Sequence, residues 1–69
     1  MNPAQAIQTA IGGTQASVAA RVGESPQAWG QYVAGKRTPK ADKVAAWCVC
    51  AGVGLWCDAH GWKAVLCAV

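Results

Sequence analysis

Residues that start and stop helices recur along the chain and divide residues 2–52 into four helix-sized pieces. Each piece begins with an N-cap residue, and in three of the four a proline suited to the first helical turn follows it. Glycine, the commonest helix stop, follows each piece. The starts are Asn2-Pro3, Thr14, Ser25-Pro26 and Thr38-Pro39, and the stops are Gly12-Gly13, Gly23, Gly35 and Gly52.

Apolar residues within these pieces recur three and four positions apart, which is the spacing of one buried helix face. The sets are Ile7, Ala10 and Ile11; Val18, Ala19 and Val22; Trp29, Tyr32 and Val33; and Val44, Trp47, Cys48 and Ala51. The spacing predicts a mainly all-α fold of four to five short helices, with the fourth running from about Lys40 to Ala51 and with Trp29, Tyr32 and Trp47 in the core.

The apolar stretch 53–69 has no periodicity that separates a helix from a strand. We expect a further short helix or turn near residues 55–60, followed by a segment that packs on a partner. The alternative is a hairpin that turns near Asp58–Gly61.

The 69 residues are enough for one domain, 1–69, in which we expect a core over 3–51 and a dimerising segment over 53–69. The sequence has no 18-residue apolar run and no secretory signal, so we expect a cytoplasmic location without a membrane partner. No Ser/His/Asp or paired-carboxylate arrangement is present. A non-enzymatic binding module without a cofactor or a small-molecule substrate is therefore predicted.

Residues 15–35 have the parts of a helix-turn-helix, in which two helices joined by a tight glycine-containing turn lie at a fixed angle. The small Ala19 lies where the helices cross, and Gly23 lies in the turn. The outer side of the second helix is polar and uncharged, which suits the major groove of DNA.

Glutamine amides can both donate to and accept from adenine, and Gln27 and Gln31 are one turn apart on this face. The predicted base-reading residues are Gln27, Gln31, Ser25 and Gly30, where the glycine allows close approach. A basic stretch that includes Lys43 follows the second helix of the helix-turn-helix. The predicted phosphate-binding residues are Thr14, Gln15, Lys36, Arg37 and Lys40.

The run from Thr14 to Arg37 resembles the helix-turn-helix of small phage Cro and repressor proteins, which have the lambda-repressor-like fold, and of YdaS-type bacterial regulators. The resemblance covers residues 3–51. It implies a dimeric transcriptional regulator, usually a repressor, on an inverted-repeat operator. By the same resemblance, the DNA-contact positions are Gln15, Ser25, Gln27, Gln31 and Lys36.

Glu24 departs from this resemblance, since the family has an apolar residue in that part of the turn. If the position is buried, Glu24→Val is expected to stabilise the fold. If it is solvated, the melting temperature should not change. At the positions of Trp29 and Tyr32 the family usually has other core residues, so the sequence does not determine the angle between the two helices.

The four cysteines favour reduced thiols, because all of them lie in the last part of the chain and no secretion signal is present. A disulfide and a zinc site remain as alternatives. Cys48, Cys50, Cys57 and His60 are chemically acceptable zinc ligands. However, Cys48 and Cys50 point in different directions on a helix, so no metal site is predicted.

The C-terminal stretch is more apolar than a small monomer should expose, and it predicts a homodimer interface at Trp56, Trp62, Val65 and Leu66, with Val69 nearby. The alternative is that these residues complete the core of the monomer. The function predicted is a double-stranded-DNA-binding regulator of a phage or prophage. The alternatives are a DNA-binding antitoxin that holds a toxin with residues 53–69 and a zinc-stabilised protein-interaction module.

Overall fold

The structure, a computed structural model, describes residues 1–67, which form four helices followed by a two-stranded hairpin. In chain order the elements are α1 (Pro3–Ile11), α2 (Gln15–Val22), α3 (Pro26–Val33), α4 (Ala41–Ala51), β1 (Val53–Asp58) and β2 (Gly61–Leu66). The first three helices begin where the cap residues predicted.

The predicted N-caps of α1, α2 and α3 are confirmed by their hydrogen bonds. Asn2 and Gln5 form a reciprocal capping box, with the Gln5 N–H donating to Asn2 Oδ1 at 2.8 Å. Thr14 and Ser25 accept backbone N–H groups of the first turns of α2 and α3 in the same way. Each helix therefore begins at a residue whose side chain replaces a missing backbone partner.

Helix α4 covers the predicted range to within one residue, but its predicted cap, Thr38 followed by Pro39, is wrong. Its N-cap is Lys40, whose backbone is extended and whose side chain makes no capping bond, so Thr38-Pro39 lies in the loop before the helix. Asp42 supplies an acceptor in the first turn, since the Lys43 N–H donates to Asp42 Oδ1 at 3.0 Å. Trp47, a predicted core residue of α4, is buried in the core.

The all-α fold class is also wrong, because residues 53–66 form an antiparallel hairpin and the domain is a mixed α/β one. The alternative hairpin is the one found. Its register pairs Val53 with Leu66 and Asp58 with Gly61 around the turn at residues 59–60. Val53, Leu55 and Ala64 pack towards the helices with the two-residue alternation of a strand.

Three aromatic side chains form the centre of the core, as predicted. The ring of Trp47 packs edge-on against Trp29 at a centroid distance of 5.0 Å and against Tyr32 at 4.9 Å. The remaining core residues come from α1, α2, α4 and β1: Ala4, Ala6, Ile7, Val18, Ala19, Val22, Ala51 and Val53. The core therefore holds the hairpin as well as the helices.

Both buried indole N–H groups have an acceptor from another part of the chain. Trp29 Nε1 donates to Gln8 Oε1 of α1 at 2.8 Å, and Trp47 Nε1 donates to Glu24 Oε1 at 3.0 Å. The same Glu24 oxygen accepts a bond from Lys43 Nζ at 2.9 Å. The side chain of Glu24 is only 12% exposed, so the α2–α3 turn is tied to α4 by a largely buried carboxylate.

Glu24→Val is expected to destabilise the protein by about 1–3 kcal/mol, although the site is mostly buried, because the Trp47 N–H loses its acceptor. This reverses the expectation from the sequence for a buried position. Urea unfolding followed by tryptophan fluorescence measures the change. Glu24→Gln is the matched control, since its amide oxygen can still accept from Trp47, and it should cost less. A more stable valine variant would contradict the role of the bond.

The stability that Glu24 contributes should depend on pH. The hydrogen bond from Lys43 lowers the pKa of Glu24 below its ordinary value of 4.5, which outweighs the opposing effect of burial. A carboxyl group whose pKa is lower in the folded state stabilises the fold above its ordinary pKa, and this is lost as the pH falls through the folded value. The difference in unfolding free energy between the wild type and Glu24→Gln should therefore shrink below pH 4.5. A difference that stays constant through this range would show that the carboxylate is not responsible.

Candidate nucleic-acid interface

Helices α2 and α3 form a compact helix-turn-helix unit. Gly23 adopts the left-handed conformation that ends α2 (φ +82°), and α3 begins at Pro26. Ala19 is fully buried, and its carbonyl accepts the Glu24 N–H at 2.9 Å. Val18 and Val22 of α2 share one buried cluster with the aromatic residues of α3. The angle between the two helices is therefore fixed by packing.

The outer side of α3 presents the two predicted base-reading glutamines. Gln27 and Gln31 are both exposed, and within residues 1–67 neither side chain takes part in a hydrogen bond. Trp29 and Tyr32, on the opposite side of α3, are buried in the core. Both amides are consequently available to a ligand that reaches α3 from solvent.

Ser25 and Gly30 have local structural roles beside the glutamines. The Ser25 hydroxyl oxygen accepts the Ala28 N–H at 3.2 Å, which leaves its proton free to donate. A Cβ atom on Gly30 would lie 3.3 Å from Gln15 Oε1. The missing side chain of Gly30 thus gives room to the first residue of α2. Sequence reasoning did not pair Gln15 with Gly30, because nothing in their spacing reports the crossing of the helices.

The predicted phosphate-binding residues lie at two places. Thr14 and Gln15 are exposed at the start of α2, where Thr14 Oγ1 already accepts the Ser17 N–H. Lys36, Arg37 and Lys40 are exposed in the loop between α3 and α4. This loop therefore places positive charge directly after α3.

Two neighbouring cations are held by the protein itself. The Arg37 guanidinium carbon lies 5.1 Å from the centroid of the Tyr32 ring, a cation–π distance that positions the side chain while leaving it exposed. Lys43 is ion-paired with Glu24. The basic stretch is therefore open to solvent mainly through Lys36, Arg37 and Lys40. Its fourth cation, Lys43, is bound by Glu24.

The register of the hairpin divides the predicted dimer residues between its two faces. Trp56 and Val65 lie on the face that points away from Val53 and Leu55, and both are exposed. Trp62 and Leu66 share the other face, where Trp62 is half-buried and Leu66 is exposed. Val69 lies outside the described residues. An interface at these four residues stays a prediction.

The cysteines are all free thiols, with Cys48 half-buried against the core and the other three exposed. Within residues 1–67, no three side chains of His, Cys, Asp or Glu are grouped so that they could hold a metal ion. None of the helices in this part of the chain is long and apolar enough to cross a membrane.

Comparison of the chain with protein-family models, with curated proteins and with solved structures finds no match. The geometry of α2, α3 and the basic loop is therefore what indicates a function.

Gly30→Ala should stabilise the isolated protein by about 0.5–1 kcal/mol, because alanine favours a helix interior and the end of a flexible Gln15 side chain can move by a few tenths of an ångström. Chemical denaturation measures the gain. Gly12→Ala is the matched control: a Cβ atom there meets open space, but the φ of +76° strains an alanine, so that variant should lose stability. A destabilised Gly30→Ala would mean that Gln15 is fixed in place.

Proposed function

We propose that this protein is a sequence-specific double-stranded-DNA-binding transcriptional regulator whose α3 enters the major groove. The proposal depends on Gln27 and Gln31, which are one turn apart on α3. Both are exposed, and within the described residues neither side chain forms a hydrogen bond. A glutamine amide offers the donor and the acceptor that an adenine edge requires in the major groove.

The rigidity of α3 supports this role. Base recognition needs side chains held in a defined position, and the helix is anchored by Trp29 and Tyr32 in the core. The Trp29 N–H also reaches Gln8 of α1, so a second helix positions α3. An exposed helix with few anchors would lose binding energy to the ordering of its backbone.

The charge around α3 supports nucleic acid as the ligand. Lys36, Arg37 and Lys40 follow the helix in one loop, and the chain has a net charge of +3. Phosphate contacts from such residues supply affinity that is independent of sequence and set the orientation of the protein on the duplex. The uncharged glutamines then have the separate role of reading bases.

The resemblance of residues 3–51 to phage Cro-type regulators adds the regulatory role. In this proposal a homodimer occupies an inverted-repeat operator of a phage or prophage in the bacterial cytoplasm and blocks the polymerase sterically. Two-fold symmetry of the protein then matches two-fold symmetry of the operator.

Selection of bound duplexes from a random pool, followed by titration of variants on the selected and on scrambled sites, tests the proposal. Gln27→Ala and Gln31→Ala should each reduce the free-energy difference between the two sites by about 1–3 kcal/mol. Lys36→Ala should weaken binding to both sites alike. It should also reduce the slope of the logarithm of the binding constant against the logarithm of the salt concentration by about 1.

Lys63→Ala is the matched control, because Lys63 is an exposed lysine of β2 and lies away from the basic loop in the chain. It should bind both duplexes like the wild type. Selection that yields no consensus, or glutamine variants that keep the full preference, would refute α3 as the reading helix.

A further inference from the structure

A groove of about 630 Å³ lies between α4, the hairpin, the start of α1 and the loop that joins α3 to α4. Its volume falls within the range of about 300–1,000 Å³ that is usual for sites that hold small organic molecules. Its walls are mainly apolar, as such sites are, and they include Val44, Ala45, Cys48, Leu55 and Trp62.

The apolar walls of the groove are only partly covered by the protein itself. Val44, Cys48 and Leu55 pack against the core but are half-buried, and Trp62 is half-buried as well. A ligand with an apolar body would remove the remaining surface from water, which is favourable in proportion to the area covered. Because the core holds α4 and the hairpin together, the groove exists before a ligand enters it.

The charge of the groove indicates what kind of ligand fits. Among the described residues that line it, Arg37 alone is charged. The guanidinium carbon lies 5.1 Å from the ring centroid of Tyr32, which also lines the groove. Within this part of the chain Arg37 forms neither an ion pair nor a hydrogen bond, and Glu24 is already bonded to Lys43 and Trp47. A planar guanidinium with free N–H groups matches a carboxylate or a sulfonate.

We propose that this groove binds a small organic monoanion with an apolar body, a hydrophobic carboxylate or sulfonate. The body lies against Leu55 and Trp62, and the anionic group accepts hydrogen bonds from Arg37. Since Arg37 is also a predicted phosphate contact, a bound anion would compete with DNA for it. That consequence rests on the proposed function, whereas the binding itself does not.

Fluorescence titration of the full chain without DNA tests the site with two dyes that share one aromatic body. The dye 8-anilinonaphthalene-1-sulfonate has the negative charge, and N-phenyl-1-naphthylamine lacks it. Arg37→Gln removes the cation and keeps a polar side chain. Lys36→Gln is the matched control, because Lys36 is an exposed cation of the same loop and is not among the residues that line the groove. Circular dichroism checks that both variants are folded.

The wild type should bind the sulfonate dye at a single saturable site. Arg37→Gln should raise the dissociation constant of this dye by about fivefold or more and leave that of the uncharged dye within about twofold, because only the sulfonate accepts from the guanidinium. Lys36→Gln should leave both within about twofold. Wild type without saturable binding, Arg37→Gln that binds the sulfonate dye unchanged or loses both dyes equally, or an equal loss with Lys36→Gln overturns the proposal.

Alkylation of cysteine locates the bound dye. Cys48 lines the groove, whereas Cys50 is exposed and is not among the lining residues, so it serves as an internal control. With the sulfonate dye at about ten times its dissociation constant, iodoacetamide should modify Cys48 about tenfold more slowly, because an occupied groove blocks the thiol. The rate at Cys50 should not change, and tandem mass spectrometry of the peptide that contains both cysteines measures the two rates.

An unchanged rate at Cys48, or equal slowing at both cysteines, would place the dye elsewhere and overturn the proposal. Neither the titration nor the alkylation involves a duplex. Failure here is therefore distinguishable from failure of the DNA-binding function, which the duplex titration reports.

Discussion

The packing of Trp47 against Trp29 and Tyr32 is the interaction on which the rest of the structure depends. It joins α4 to α3 through two edge-on aromatic contacts in a domain with little other volume to bury. The large rings are tolerated because each buried indole N–H reaches an acceptor, Gln8 or Glu24. Removing either acceptor would leave a polar group buried and unpaired, which costs more than the bond itself contributes.

This core also determines what the surface presents. Since Trp29 and Tyr32 occupy the inner side of α3, Gln27 and Gln31 must face outward. Trp47 leaves Ala45, Ala46 and Val49 of α4 facing solvent in the same way. Polar, cationic and apolar side chains are consequently exposed at separate places on a small domain.

The candidate site illustrates how far local signals reach. The exposure of the glutamines and the burial of Val18 and Val22 follow from helical periodicity, which the sequence contains. The ion pair of Lys43 with Glu24 does not follow, because Glu24 lies in the α2–α3 turn and Lys43 in α4, and the two residues meet only through the packing around Trp47. The same limit applies to the proximity of Gln15 and Gly30.

The sequence by itself determined the four helices, the caps of the first three and most of each core face, because capping and periodicity depend on residues close in the chain. Only the tertiary structure decided that α4 lacks the predicted Thr38 cap and that the C-terminal stretch is a hairpin. An apolar run such as 53–57 satisfies a helix or a strand equally well. Burial of Val53 and Leu55 against the helices, together with the pairing of β1 with β2, selects the strand.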